Sequence, residues 1–254
     1  MSSPRTTKKT VLITGCSDGS IGAALAVSFH NAGLHVYATS RNTSKMSHLS
    51  SLGIQTFELN TLSSSSISSA VSKIPHLDIL VNNAGGFYAM PFSDIDISKA
   101  KELFDLNVWS YLEVTQAFLP LLIASRGMVV NQTSVLSVLN LPFHSAYTAS
   151  KAAMAMFSNA QRLELEPFGV KVIELKTSWT KSNTIQGAKK QEEVELLPKG
   201  SMYNVAKEAM EACLEGKDIS KGAMETSAYG EVVVGELLKI KVKPVVWVCE
   251  TFPH

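Results

Sequence analysis

Tyr147 and Lys151, in the stretch SAYTASK, stand four residues apart. On a helix that spacing stacks both side chains on one face. A phenol ordinarily titrates at about pH 10, a poor match to proton transfer near neutrality. An ammonium group beside it favours the phenolate and lowers that value. The pair can therefore do acid–base chemistry on an oxygen atom, with Tyr147 moving the proton and Lys151 tuning it. Both residue types are common, so the pair alone decides nothing. A buried tyrosine and a surface lysine are the plain alternatives.

Something must hold such a pair, and the chain reads as an alternation of strands and helices. TVLIT (10–14) is short, β-branched and apolar, as a strand covered on both faces is. A Gly-rich turn follows. IGAALAVSFHNAG then reads as a helix with Ile21, Leu25 and Phe29 on one face and Gly33 as its stop. Further strands are expected at 35–39, 54–59, 77–83, 127–134 and 170–175. The Ser-rich stretch SSSSISSAVSKI carries a helical spacing at Ile67, Val71 and Ile74, and longer helices are expected at about 98–124 and 146–166. This order implies one α/β domain: a doubly wound parallel sheet of about seven strands with right-handed crossovers. The apolar VKPVVWVCETFPH tail reads as an edge strand rather than a membrane-touching segment. Residues 180–230 break the rhythm and suit a segment that covers a substrate.

The turn TGCSDGSIG (14–22) closes a strand and opens a helix. Gly15, Gly19 and Gly22 allow a tight turn and close approach to a pyrophosphate. The helix amides favour that anion, Ser17 and Ser20 add hydroxyl donors, and Ile21 begins the helix. About 20 residues on, a site preferring NAD usually carries an acid. Here ATSRN places Arg41 instead, and a guanidinium suits a 2′-phosphate. The expected cofactor is NADP(H), with a solvated surface arginine as the alternative.

The Gly turn, NNAG at 82–85, Asn107, Ser134 and YTASK at 147–151, in that order, resemble the short-chain dehydrogenase/reductase family. Ser134 stands 13 residues before Tyr147, as in the family. The resemblance spans about residues 8–250. Within the family, VYATSRN and TGCS look closest to the NADP-dependent branch that holds 17β-hydroxysteroid dehydrogenase type 1 and the fungal 1-acyldihydroxyacetone-phosphate reductases. It implies a Rossmann-type fold and a Tyr147 that donates the proton in carbonyl reduction and accepts it in alcohol oxidation. Lys151 also bonds the nicotinamide ribose. Ser134 holds the substrate carbonyl oxygen and stabilises developing charge, with Thr133 and Ser137 as its rivals. Asn107 completes a proton relay. Asn83, Ala84 and Gly85 line the cofactor, Asn60 contacts the adenine, and Ser182 lies by the nicotinamide.

Three positions depart from the family pattern. The Gly turn has one extra residue, so either Gly19 or Ser20 takes the middle glycine's place. Asn60 stands where Asp is usual. Thr177-Ser178, followed by Trp179, stands where PG is common.

Composition narrows the rest. The 254 residues are 45% hydrophobic and 18% charged with a net charge of +1, which gives no electrostatic reason to expect nucleic acid. Three scattered cysteines argue against a disulfide framework and for a reducing, cytoplasmic setting, with contact to lipid surfaces as a further expectation. Neither a metal-ligand spacing nor a spanning run of 18 apolar residues is present. Phe87, Leu136, Phe143, Trp179 and parts of 183–215 are expected to line a pocket for a hydrophobic carbonyl or alcohol: a lipid, steroid-like or polyketide-derived compound. His144 reads as a pocket or surface residue rather than a base, and Lys189-Lys190 as a solvated pair. The helices at 98–124 and 146–166 carry surplus apolar residues, among them Trp109, Leu112, Phe118, Met154, Met156 and Phe157, and imply a homodimer or homotetramer. A non-redox reaction such as cyclisation and a scaffold without turnover are the alternative functions.

Overall fold

The computed structural model describes residues 8–183, 197–214 and 222–249. Among these, seven parallel strands form one sheet, in spatial order β3-β2-β1-β4-β5-β6-β9. They are β1 (Thr10–Thr14), β2 (His35–Ser40), β3 (Gln55–Glu58), β4 (Ile79–Asn82), β5 (Met128–Ser134), β6 (Lys171–Thr177) and β9 (Val245–Val248). A separate two-stranded ribbon pairs β7 (Thr180–Lys181) with β8 (Met224–Glu225). The C-terminal apolar stretch is thus an edge strand on β6.

Side chains alternate faces along a strand, so each strand feeds two cores. Val11, Ile13, Ile79 and Val81 pack with α1 (Ile21–Asn31) and the last helix, α8 (Thr226–Leu237). Leu12, Leu80 and Val129 pack on the other side, with α3 (Ser64–Lys73), α5 (Ser110–Ser125) and the end of α6 (Ser145–Leu165). Two covered faces explain why these strands are nearly continuous apolar runs. The Ser-rich stretch is indeed a helix: Ile67 and Ala70 are buried and the serines face outward or cap its start.

The order of strands reverses between β1, which leads outward to β2, and β4, which leads the other way. Ligands in open α/β sheets lie at the carboxyl ends of the strands at such a point.

The helix expected over 98–124 is interrupted. It is α4 (Ile97–Phe104) and α5, joined by a π-helical turn at Asp105–Trp109. Such turns insert a residue into a helix and often mark functional sites. Phe118 and Met154, expected as surplus apolar surface, are fully buried core residues. Trp109, Met156 and Leu163 are exposed, and the Trp109 and Phe157 rings meet edge to face at 5.9 Å.

Part of the expected covering segment is described. Leu197, Met210 and Leu214 form a small core with Ala89, Phe143 and Tyr203 beside the main domain, with α7 (Lys207–Leu214) contributing two of them. Lys189 and Lys190 lie outside the described residues. Among the described residues no helix is long and apolar enough to cross a membrane. Cys16, Cys213 and Cys249 are free.

Candidate active site

A groove of about 790 Å³ runs along the carboxyl ends of the strands. Gly15, Ser17, Ser20, Ile21, Arg41, Asn83, Ala84, Gly85, Ser134, Tyr147, Lys151 and Ser182 all line it.

At one end the Gly turn rests on the loop after β4. Thr14 Oγ1 accepts the amides of Asn83 (2.9 Å) and Ala84 (3.0 Å), and Asn83 Nδ2 donates to the Thr14 carbonyl at 2.8 Å. The Asn83 amide group is therefore spent on joining two loops. A Cβ on Gly22 would lie 2.5 Å from both the Gly15 carbonyl oxygen and Asn83 Nδ2, so nothing larger than hydrogen fits there. Gly22→Ala is expected to destabilise the fold by about 1–3 kcal/mol through overpacking. It should also spread the turn, which chemical denaturation and a cofactor titration would measure together. Retained stability and affinity would contradict this.

The extra residue in the turn has a specific use. Gly19 has φ +78°, a left-handed conformation that glycine adopts without strain. Ser20 is the N-cap of α1: its Oγ accepts the Ala23 amide and donates to the Gly15 carbonyl, each at 3.1 Å. A serine oxygen thus satisfies one orphan helix donor. Asn183 closes over this turn, its side-chain amide donating to the Asp18 carbonyl.

Arg41 is exposed after β2, beside Ser40 on the groove wall. Sequence reading missed two charged neighbours on the same wall, Lys45 and Asp18. Lys45 follows Arg41 by one turn and had a legible signal, since Asn42 caps that turn by accepting the Ser44 amide. Asp18 Oδ2 accepts Ser47 Oγ and the His48 amide. Its Oδ1 is buried with no partner among the described residues, an orphan acceptor suited to a hydroxyl group. Glycines that admit close backbone approach, two cations and that acceptor fit an adenine dinucleotide.

Asn60 is placed differently from expectation. Its Oδ1 accepts the Leu62 amide at 3.1 Å and its backbone N–H donates to Ser66 Oγ at 3.0 Å, both at the entry to α3. Local turn bonding competes for short polar side chains. Leu59 and Thr61 line the groove in its place.

At the other end four residues converge. Asn107, carried inward by the π turn, is fully buried. Its Oδ1 accepts the Gly86 amide at 2.8 Å, and its Nδ2 donates to the Gly86 carbonyl and to Ser150 Oγ, both at 3.1 Å. Asn107 therefore ties α6 to the loop after β4. Ser134 ends β5; its Oγ accepts the Leu136 amide at 3.1 Å, and its hydroxyl is in hydrogen-bond reach of the Tyr147 phenol in the groove. Of its rivals, Thr133 donates to Glu174 and Ser137 accepts from Lys176, so both are engaged away from the site.

Tyr147 and Lys151 share one face of α6. Lys151 is buried, its Nζ 5.9 Å from the Tyr147 ring centre and donating to the Gln132 carbonyl at 2.9 Å. Gln132 also escaped the sequence reading, because its part is played by a backbone atom. The ammonium lies over two rings, those of Tyr111 at 5.6 Å and Tyr147 at 5.9 Å. The expectation that it holds the phenol below its ordinary value is nevertheless corrected: burial pushes Tyr147 up, and the Ser134 hydroxyl only partly offsets this. Burial also lowers the Lys151 ammonium to about 8. At neutral pH Tyr147 therefore keeps its proton and is set up as an acid.

Where the family often has PG, Thr177 bonds to Tyr229 and Gln132, and the Ser178 amide donates to the Val248 carbonyl at 2.9 Å. The loop is tied to β9 without a proline. Trp179, Leu136, Phe87, Leu106 and Leu214 give this end of the groove an apolar wall. Phe143, expected among them, instead packs on Tyr203 at 5.6 Å, beside the small core of Leu197, Met210 and Leu214. Its φ of +68° turns the chain there and places His144, not Phe143, on the groove wall.

Known proteins show the same combination. Residues 9–193 match the family model described as short chain dehydrogenase. The chain is 50% identical over 240 residues to a short-chain dehydrogenase/reductase of Pestalotiopsis microspora, covering 94% of this chain and 84% of that one. It is 39% identical over 175 residues to the NADPH-dependent 1-acyldihydroxyacetone phosphate reductase of Schizosaccharomyces pombe, covering 67% and 59%. A solved short-chain dehydrogenase from Streptomyces avermitilis superposes with a TM-score of 0.80 at 22% identity, over 96% of this chain and 89% of that one. With the switch-point groove and the order of its residues already placed, these matches make the chain a member of the short-chain dehydrogenase/reductase family of oxidoreductases.

Proposed function

We propose that the protein uses NADP(H) to interconvert a carbonyl and an alcohol on a hydrophobic substrate. The observation that carries this reading is the arrangement of Ser134, Tyr147 and Lys151 at the apolar end of a groove whose other end holds Gly15, Ser17, Ser20, Arg41 and Lys45. When bound, the nicotinamide supplies the hydride. Ser134 donates a hydrogen bond to the substrate oxygen and stabilises the charge that develops on it. Tyr147 delivers the proton to that oxygen in reduction and takes it back in oxidation. Lys151 stabilises the phenolate left behind. The Phe87, Leu106, Leu136, Trp179 and Leu214 wall excludes water from the reacting atoms and favours an apolar compound over a sugar.

The preference for a 2′-phosphate rests on Arg41 and Lys45, since the carboxylate of Asp18 has one oxygen already engaged by α2 (Ser47–Ser51). The relative named as NADPH-dependent supports the same choice. Following absorbance with NADPH and with NADH over a panel of apolar ketones tests both parts. NADPH is expected to be strongly preferred, and Arg41→Ala to weaken NADPH by roughly tenfold to a hundredfold while changing NADH little. Equal use of NADH by the unaltered protein would overturn the cofactor assignment. Substrate conversion without NADPH loss would indicate a cyclisation, and binding without either a scaffold.

The exposed Trp109, Met156 and Leu163, with Phe157 beside Trp109, support pairing of two or four copies through α5 and α6. Light scattering that gives a monomer would exclude it.

A further inference from the structure

His144 is not used by the reaction, yet it is almost wholly buried and lines the groove. Its Nδ1 lies 2.6 Å from the Pro142 carbonyl oxygen. A carbonyl has no proton to give, so Nδ1 must carry one and donate it. In a neutral imidazole the other nitrogen, Nε2, is then a bare acceptor. Nε2 has no hydrogen-bond partner among the described residues, and it is not among their fully enclosed unpartnered atoms. The solvent it reaches is that of the groove. Its surroundings there are apolar: the Phe87 ring is 5.3 Å from the His144 ring and 4.9 Å from the Tyr147 ring. Both rings therefore flank one phenylalanine, within reach of a single small molecule. The left-handed Phe143 backbone, held by its carbonyl accepting the Met90 amide at 2.7 Å, is what turns His144 inward. Such a conformation is costly for a non-glycine residue and persists where the surroundings impose it.

An acceptor in an apolar wall loses hydration when a substrate covers it, unless the substrate supplies a donor. We propose that His144 selects the substrate by accepting a hydrogen bond from a hydroxyl group that the molecule carries apart from its reacting carbonyl. This rests on the redox reading above and adds to it: the substrate class becomes an apolar hydroxy-ketone, or the corresponding diol in the oxidative direction. His144 acts on substrate choice, and the proton transfer remains with Tyr147.

The test compares tetralone with its ring-hydroxylated isomers, using the full chain and NADPH. For at least one isomer kcat/KM is expected to exceed that of tetralone by roughly tenfold, chiefly through KM. His144→Phe keeps a ring but removes the acceptor, and should bring that ratio to about one. His144→Gln places an amide oxygen near the position of Nε2 and should restore part of the preference. A protein that favours no hydroxylated isomer, or a His144→Phe variant that keeps the ratio, overturns the proposal. If no ketone in the panel consumes NADPH, the redox reading is what has failed. The same probes titrated against the protein by fluorescence then read the discrimination as a ratio of Kd. A ratio that falls in His144→Phe supports the acceptor, and an unchanged one refutes it.

Discussion

Tyr147→Phe is expected to lower kcat for ketone reduction by about 10²–10⁴-fold, the range of a lost general acid, while leaving the fold and NADPH affinity intact. The substitution removes one oxygen. The ring keeps its contact with Phe87 at 4.9 Å, and Lys151 keeps its bond to the Gln132 carbonyl. On the proposed mechanism, what disappears is the proton source beside Ser134. Burial keeps the phenol above its ordinary value, so the unaltered protein holds that proton throughout the neutral range. Reduction should therefore need no prior titration of Tyr147, whereas alcohol oxidation, which needs the phenolate, should rise with pH. Single-turnover absorbance with NADPH, alongside circular dichroism and a cofactor titration, measures all three quantities. A rate within tenfold of the original would mean that another acid serves.

Lys151→Met is expected to act in two opposite ways. Turnover should fall by about 10²-fold or more, because nothing then stabilises the phenolate as the proton leaves. Stability of the protein without cofactor should rise at neutral pH. The lysine is buried and its ammonium is lowered from 10.5 to about 8 by desolvation, so the native state resists the charge that the unfolded chain accepts freely. Between about pH 8 and 10.5 the unfolded state binds more protons, and the stability of the unaltered protein increases with pH across that window. Below it, the charged lysine costs the fold on the order of 3 kcal/mol. The advantage of the methionine variant should thus be largest at pH 7 and shrink toward pH 10. Denaturant unfolding at the two pH values decides this. A variant less stable than its parent at pH 7 would show that the Lys151–Gln132 bond outweighs the burial of charge. The protein's acid–base machinery would then sit on a favourable interaction rather than on a tolerated cost.

The amino-acid sequence alone determined the alternation of strands and helices and the phosphate turn, together with the order Ser134, Tyr147, Lys151. These are local matters: apolar runs covered on two faces, glycines at a turn, and two side chains one helical turn apart. The tertiary structure decided whatever depends on a neighbour distant in the chain. Asn107 reaches Gly86 because a π turn rotates it inward, and hydrophobic spacing does not reveal an inserted residue. Asn60 spends its side-chain oxygen and Asn83 its side-chain amide on nearby loops, a competition read only from the bonds they make. Lys151 is positioned by the backbone oxygen of Gln132, which no residue type advertises. Phe143 leaves the pocket wall expected of it, and His144 takes a place there, because one positive φ angle turns the chain between the Leu197–Met210–Leu214 core and the groove. Above all, the proton affinity of Tyr147 follows from how much water the fold removes around it. Desolvation is a property of the packed surroundings, and around this ring it outweighs the hydrogen bond from Ser134.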